Sequence, residues 1–303
     1  MTRRRFIHSA QSGSTLLLVM WALILLASAV LVWARWIQQD IALSGDANRQ
    51  LEARAMAGSG VAMGLHPLVT QQTPWLTEEL GDGMGYKVQM QSEGGRLHLN
   101  WLIAGEEPRK ITMLKQWLEW KGVEFKDREV FVDSLLDYVD GDDLKRLNGV
   151  ENEGDYIPAN RPLQTIEELE EVANAEVLTS IPGWKDELTL YSAGTIDLSS
   201  ASIDILRLLP GMSEARIQRF VTFRDGKDAL NGTLDDNVFK TLGDVQKFLG
   251  FNEAQFQELG GLVNVKDPTV RIVSVGHSGK IVRQIEVVAT KGGGTPAIRH
   301  WKE

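Results

Sequence analysis

An uncharged apolar segment close to the N-terminus constrains this chain more than any other feature of the sequence. It runs from Thr15 to Ala34, directly after a polar leader with three arginines at positions 3–5. A helix of this length, 20 residues, rises about 30 Å, which is the hydrocarbon thickness of a bilayer. The core of an ordinary signal peptide is shorter, about 7–15 residues, and no A-x-A-like cleavage site follows the segment. The sequence therefore predicts a membrane span over about residues 15–34.

The distribution of charge predicts the orientation of this span and excludes some classes of function. Because basic residues stay on the cytoplasmic side of a membrane, the arginines predict a single-pass protein with a cytoplasmic N-terminus. Residues 36–303 hold 28 Lys and Arg against 41 Asp and Glu, whereas nucleic-acid binders usually carry the opposite excess. The chain has no cysteine, so disulfides and thiolate chemistry are excluded.

Apolar periodicity predicts an α+β fold in which a long helix precedes a small sheet. Helical spacing continues past the span until His66-Pro67, because the residue before a proline avoids the helical region. Alternation of apolar and polar residues predicts two hairpins, formed by residues 86–90 with 97–101 and by residues 270–275 with 281–289. The predicted division is a leader at 1–13, a long helix at 14–66, a small antiparallel sheet from 67–104 and 264–303, and a large, mostly helical insertion at 105–263.

Local signals predict several helices inside the insertion. Three stretches have the spacing of a helix N-terminal cap: Thr165-Ile166-Glu167-Glu168, Thr241-Leu242-Gly243-Asp244, and the segment from Asn252 to Gly260. Phe131, Leu135 and Val139 lie four residues apart and share one helix face. The glycine run at 292–294 indicates a loose C-terminal connection.

The leader and the span together resemble the class III signal of type IV pilins and of their relatives, the pseudopilins. In those families a prepilin peptidase cuts after the glycine that precedes the apolar segment, and the matching bond here is Gly13–Ser14. Two positions depart from the family pattern. The first mature residue is usually aromatic or methionine and is Ser14 here, and the fifth is usually glutamate and is Leu18 here. An unprocessed N-terminal anchor is the alternative interpretation of residues 1–35.

The leucine at the fifth mature position indicates a particular place in a filament. A carboxylate deep in a bilayer costs about 2.5–3.5 kcal/mol, so it persists only where a partner compensates it. In pilin filaments that partner is thought to be the terminal ammonium of a neighbouring subunit. A subunit with Leu18 cannot neutralise a neighbour in this way and therefore suits a filament end. Absence of this glutamate is typical of the K protein, a minor pseudopilin of type II secretion systems.

Local strings between Gly13 and Trp301 also resemble that family, and their order makes the resemblance specific. The strings are Leu97-His98-Leu99-Asn100, the acidic run from Leu135 to Asp143, Gly149-Val150-Glu151-Asn152, Asn160-Arg161-Pro162-Leu163, and Thr195-Ile196-Asp197-Leu198. The resemblance implies a non-enzymatic inner-membrane subunit with a periplasmic soluble domain, which helps to initiate or cap the pseudopilus. It implies three kinds of partner, namely the minor pseudopilins I and J, the inner-membrane assembly platform and the prepilin peptidase, and it implies no nucleic acid.

The densest acidic cluster is a candidate metal site. Residues 131–155 hold eight acids against Lys145 and Arg146. Oxygen ligands in a flexible loop suit Ca²⁺, which takes about 6–8 of them, although the spacing does not fit an EF-hand. The residues alone leave a solvated acidic loop as the alternative, and the family resemblance implies calcium. The candidate ligands are Asp137, Asp140, Asp142, Asp143, Glu151 and Asp155.

A helix-hairpin-helix pattern around Pro210-Gly211 leaves a second function open. Such hairpins can hold DNA phosphates through backbone amides, and the alternative interpretation is therefore a minor pilin of a type IV pilus or DNA-uptake system. Met212-Ser213 replaces the second glycine of the motif, and Glu214 lies where a phosphate would bind, which favours a structural helix pair. The five histidines are scattered, and a membrane-anchored metallohydrolase that uses the acidic cluster would lack an identifiable base.

Overall fold

The long helix that the sequence predicts is the first element of the structure. A computed structural model describes residues 12–292 and 294–303, and helix α1 runs from Ser12 to Leu65. Its stretch Ser14–Gln39 is long and apolar enough to cross a membrane, and the most apolar part of that stretch has nothing buried against the rest of the protein. The helix ends directly before His66-Pro67, as predicted. The arginines of the leader lie outside the described residues.

An antiparallel sheet packs beside the second half of α1. Within the described residues five strands pair in the order β1-β2-β7-β8-β9, and two short parallel pairs, β3-β4 and β5-β6, lie elsewhere. In chain order the strands are β1 (Thr77–Gly81), β2 (Met84–Ser92), β3 (Leu97–His98), β4 (Leu188–Thr189), β5 (Ile196–Asp197), β6 (Val263–Asn264), β7 (Thr269–Ser278), β8 (Ile281–Thr290) and β9 (Ala297–Lys302). The β7-β8 hairpin confirms the second predicted hairpin.

Alternate residues of the central strands form the apolar face that covers α1. Val88 and Ile272 belong to one buried cluster with the helix, and Val61 joins Ile285 and Val287 in a second cluster. This alternation is the pattern expected of a sheet with one buried face. The helix and the sheet therefore form one body, from which the apolar half of α1 extends.

The first predicted hairpin is wrong at its second strand. Residues 97–101 do not return along β2, because only β3 is extended and helix α2 (Leu99–Ile103) follows it at once. Leu99, Leu102 and Ile103 are buried, and this spacing is helical rather than alternating. His98 caps the helix by accepting a hydrogen bond from the N–H of Trp101 at its Nδ1.

Two edge strands were missing from the sequence prediction. Strand β1 pairs with β2, and every residue of β1 is exposed, so no apolar alternation marked it. Strand β9 pairs with β8 after the glycine run that indicated a loose connection. Pairing with a neighbouring strand is a long-range effect, and it makes both segments strands although neither has an alternating apolar pattern.

The residues between β2 and β7 build a separate, mostly helical unit around its own core. Its longer helices are α3 (Pro108–Trp120), α4 (Phe125–Val139), α8 (Glu214–Arg224), α9 (Leu242–Leu249) and α10 (Glu253–Leu259), and its short ones are α2, α5 (Glu176–Thr179), α6 (Trp184–Glu187) and α7 (Ile203–Arg207). One buried cluster runs from Leu97 to Val263. The caps predicted at Thr241 and Asn252 are formed, and the cap at Thr165 begins a 3-10 turn instead of an α-helix.

Buried carboxylates tie the helical insert to the sheet where the chain crosses between them. Asp197 accepts hydrogen bonds from the Ser92 hydroxyl at 2.6 Å and from the N–H of Asp267 at 3.0 Å. Asp267 in turn accepts from the N–H groups of Ala193 and Thr269. Both carboxylates are almost fully buried, and such satisfied networks are rigid. The insert is therefore fixed to the sheet through polar contacts.

Candidate functional site

The acidic loop begins at the C-terminal turn of α4. Phe131 and Leu135 are fully buried on one stripe of this helix, as the sequence predicts, and Asp133 and Asp137 lie one turn apart on a neighbouring stripe. Asp137 has no exposed surface, and Asp140 is the residue that ends the helix. An ionised carboxylate can be buried this deeply only with strong partners.

Arg146 supplies the main partner within the described residues. Its Nη1 lies 2.6 Å from Oδ1 of Asp137 and 2.5 Å from Oδ2 of Asp140, and its Nη2 lies 2.6 Å from Oε1 of Glu106. Its backbone N–H also donates to Asp137. Burial opposes the charge of Arg146, but the hydrogen bonds to Asp140, Asp137 and Glu106 outweigh that cost and raise the pKa of the guanidinium.

The loop then folds back onto α4 through its next residues. Asn148 donates to Oδ2 of Asp133 from its backbone N–H at 3.1 Å and from Nδ2 at 2.9 Å. Gly149 packs directly on the carboxylate of Asp137, where a Cβ would collide with an oxygen. A glycine is therefore required at this position for the loop to close over the buried acid.

Glu151 is the least satisfied group of the loop. Its side chain is 7 % exposed, yet both of its carboxylate oxygens lack a hydrogen-bond partner among the described residues, as does Oδ1 of Asp140. Burial raises the pKa of Glu151, and repulsion from Asp137, Asp140, Asp143 and Asp142 raises it further. A buried, unpaired carboxylate beside other acids is an arrangement that a divalent cation would stabilise.

The structure brings only part of the predicted ligand set together. Asp142 accepts from the N–H of Leu144, and Asp143 accepts from Nδ2 of Asn152. Both are exposed, as is Asp155. Over residues 12–292 and 294–303, no three acidic or histidine side chains converge closely enough to hold a metal ion as they stand. Arg146 lies among the carboxylates instead.

Three residues that make contacts in or near the acidic loop were not among the predicted metal ligands. Asp133 and Arg146 lie within the acidic stretch, and their roles follow from helix spacing and from the need of a buried acid for a cation. Glu106 lies 40 residues before Arg146, and no local pattern connects the two.

The other predicted site lies at the start of α1. Gly13 and Ser14 belong to its first turn, and the leader residues 1–11 are outside the described part of the chain. Leu18 is 71 % exposed on the helix surface, as a residue must be if it faces lipid or a neighbouring subunit.

The basic side chains of the hairpin around Gly211 contact other groups of the insert. Arg216 donates to the carbonyl of Gly211 at 2.8 Å and lies over the ring of Phe251. Arg207 is bound by Glu214 at 2.6 Å. The arginines that a DNA-binding hairpin would direct at phosphates are therefore held by groups of the protein itself.

These features define an α+β fold in which a long helix packs on a small sheet and a helical insert separates β2 from β7. The chain is similar to one in "The Crystal Structure of the GspK-GspI-GspJ complex from enterotoxigenic Escherichia coli Type 2 Secretion System", with a TM-score of 0.58 and 15% identity, over 88% of this chain and 96% of that chain. No protein-family model and no curated protein matches the sequence. The likeness shows a GspK-like fold, which confirms the predicted fold class and supports the resemblance to the K family.

Proposed function

We propose that this chain is a minor pseudopilin of a type II secretion system, which helps to initiate or cap the periplasmic pseudopilus that exports folded proteins. The observation that carries the proposal is the union of one long apolar helix with a small sheet and a bulky helical insert. The GspK-like fold agrees with it. The proposed role is one of assembly and not of catalysis, as the resemblance implies.

Two features favour the end of the filament as the place of this subunit. Leu18 cannot offer a carboxylate to the terminal ammonium of a neighbour, so a subunit that demands this contact would not bind on that side. The insert between β2 and β7 adds bulk beyond the sheet, and this bulk would clash with a subunit stacked above. Both features limit growth of the filament in one direction.

The proposed partners follow from the same resemblance. The similar structure is that of GspK in complex with GspI and GspJ, and we infer that the corresponding minor pseudopilins assemble with this chain. The prepilin peptidase and the inner-membrane assembly platform complete the proposed set. The arginines before the span predict an inner-membrane protein with a cytoplasmic N-terminus and a periplasmic body.

Cleavage at Gly13–Ser14 is the most direct test of this function. Mass spectrometry of the full chain, extracted from membranes of cells that hold a prepilin peptidase, should show a protein that begins at Ser14. The Gly13→Val variant should keep its leader, because a branched side chain replaces the small residue before the bond. An intact leader on the unmodified chain, or a cut beyond Ala34, would favour the unprocessed anchor.

We also propose that the acidic loop holds calcium, with Asp137, Asp140 and Glu151 at its centre. Asp142, Asp143 and Asp155, which are exposed, would add ligands after the loop moves inward. The unpartnered oxygens of Glu151 and Asp140 support this proposal, because buried acceptors need a donor or a cation. The ion would supply compensating charge, and Arg146 supplies that charge without it.

A further inference from the structure

Three aliphatic residues on the acidic loop are largely exposed. The exposed fraction is 76 % for Leu144, 94 % for Leu147 and 77 % for Ile157. A single exposed leucine is ordinary on a protein surface. Three such residues on one short loop make that loop a candidate interaction site.

Leu147 faces solvent because the residues on both sides of it are fixed toward the protein. Before it, the N–H of Arg146 donates to the buried carboxylate of Asp137, and after it, Asn148 donates twice to Asp133. The exposure of Leu147 is therefore set by anchored backbone and does not reflect a segment without contacts.

Leu144 has the same relationship with its neighbours. Asp143 before it accepts from Asn152 at 3.0 Å, and Lys145 after it is paired with Glu153 at 3.2 Å. These two contacts also hold residues 143–145 of the loop against residues 152–153. The two halves of the loop are thus joined.

Ile157 follows that second half and is held in a similar way. The N–H of Tyr156 donates to the carbonyl of Glu153 at 3.1 Å, and the Tyr156 hydroxyl accepts from the N–H of Ala173. Pro158 on the other side is buried. We name the surface made by Leu144, Leu147, Ile157 and the exposed acids around them the 142–157 surface.

We propose that the 142–157 surface docks a cationic amphipathic segment of a partner protein. Residues 140–157 hold six carboxylates against two cations, and complementary charge selects and steers a partner. One bound Ca²⁺ would leave the net charge of the segment negative. A second copy of this chain is disfavoured, because its formal net charge is −9, and anionic lipid headgroups are repelled for the same reason. The occupant therefore carries Lys or Arg beside apolar side chains, and it fits a helix or strand with one basic edge.

The test uses the full chain in nanodiscs of zwitterionic lipid and a fluorescent peptide of Lys and Leu at helical spacing. The fluorescence anisotropy of the peptide, measured in EDTA, reports docking in the absence of calcium. This measurement requires neither cleavage of the leader nor a secretion system. The triple variant Leu144→Ser, Leu147→Ser, Ile157→Ser should bind the peptide roughly tenfold more weakly or worse. The double variant Asp142→Asn, Asp143→Asn should weaken binding and flatten its salt dependence.

A matched control comes from the loop at residues 225–240. Leu230, Leu234 and Val238 are 61 %, 70 % and 62 % exposed, and that loop carries four acids against two cations. The three corresponding serine substitutions should weaken peptide binding less, because these side chains are less exposed and their loop has two excess acids where residues 140–157 have four. Equal loss of affinity in both triple variants would overturn the proposal, because it would show non-specific apolar attraction. Equal binding of a peptide with Glu in place of Lys would overturn it as well. So would an equal rise in peptide anisotropy with nanodiscs that contain no protein.

Discussion

Gly276 on β7 lies against the backbone of Ala57 on α1, and no side chain fits between them. A Cβ at position 276 would collide with the amide nitrogen of Ala57 and with the carbonyl oxygen of Ala53. Gly60 and Gly64 continue this close approach along the helix, where a Cβ would collide with side chains of β7. The helix whose first half is long and apolar enough to cross a membrane is thus joined to the sheet at backbone distance.

Replacement of Gly276 by alanine should destabilise this joint. The added methyl group meets rigid helix backbone, and overpacking of this kind costs about 1–3 kcal/mol or more. The midpoint of thermal unfolding of the full chain in detergent micelles would measure the effect. Gly58→Ala is the matched control, because its Cβ meets nothing within 4 Å and alanine favours a helix over glycine by about 0.5–1 kcal/mol. Destabilisation by both variants would contradict the proposed geometry.

Glu151→Gln should have opposite effects on stability without and with calcium. Burial and neighbouring acids raise the pKa of Glu151 in the folded chain. Its stability contribution is therefore greatest below the unfolded pKa of about 4.3 and is lost as pH rises through the folded value. In EDTA at neutral pH the glutamine variant should melt higher, by about 2–4 °C for each kcal/mol gained, and its melting should depend less on pH.

Calcium should then favour the unmodified chain. An ion that binds only the folded state adds about 2.7 kcal/mol at a hundredfold excess over Kd, and Glu151→Gln should gain less because a ligand has lost its charge. Glu153→Gln, at an exposed position of the same loop, should behave as the unmodified chain does. If calcium and EDTA give one melting curve for the unmodified chain, the loop is a solvated acidic loop.

Arg146→Met should destabilise the insert without calcium and increase the gain from calcium. Removing one partner of a buried ion pair costs about 3–5 kcal/mol, because the other charge stays buried, and Asp137 would be that charge. The same change removes the cation that competes for the site. Lys145→Met breaks only an exposed pair with Glu153 and should cost less than about 1 kcal/mol. Differential scanning fluorimetry of the unmodified chain and of both variants, each with calcium and with EDTA, would measure these changes.

Short-range signals predicted much of this fold, and long-range pairing accounts for what they missed. His66-Pro67 marked the end of α1, and Thr241 marked the start of α9, since each signal acts on adjacent backbone. The apolar residues of the segment 97–101 fit both an alternating and a helical pattern. The segment forms a helix from Leu99 because that conformation buries its apolar side chains in the insert core. Arg146 and Glu106 meet only because the chain folds back over 40 residues, so the sequence indicated the acidic loop without Glu106.

His98 should make the unfolding of the insert sensitive to mild acid. Burial lowers the pKa of His98, and its Nδ1 must be unprotonated to accept from the N–H of Trp101. A depressed folded pKa means that the stability contribution is present above the unfolded value of about 6.5 and is lost as pH falls through the folded value. His98→Asn keeps a cap acceptor without a titrating group and should flatten the pH dependence of the melting temperature in this window. His98→Ala should lose about 0.5–2 kcal/mol above the unfolded value of about 6.5 and less in acid, where a protonated His98 no longer accepts the N–H of Trp101. His66→Asn, at an exposed position that also accepts a backbone N–H, should leave the acid response unchanged. An acid response that survives in His98→Asn would assign it to other groups.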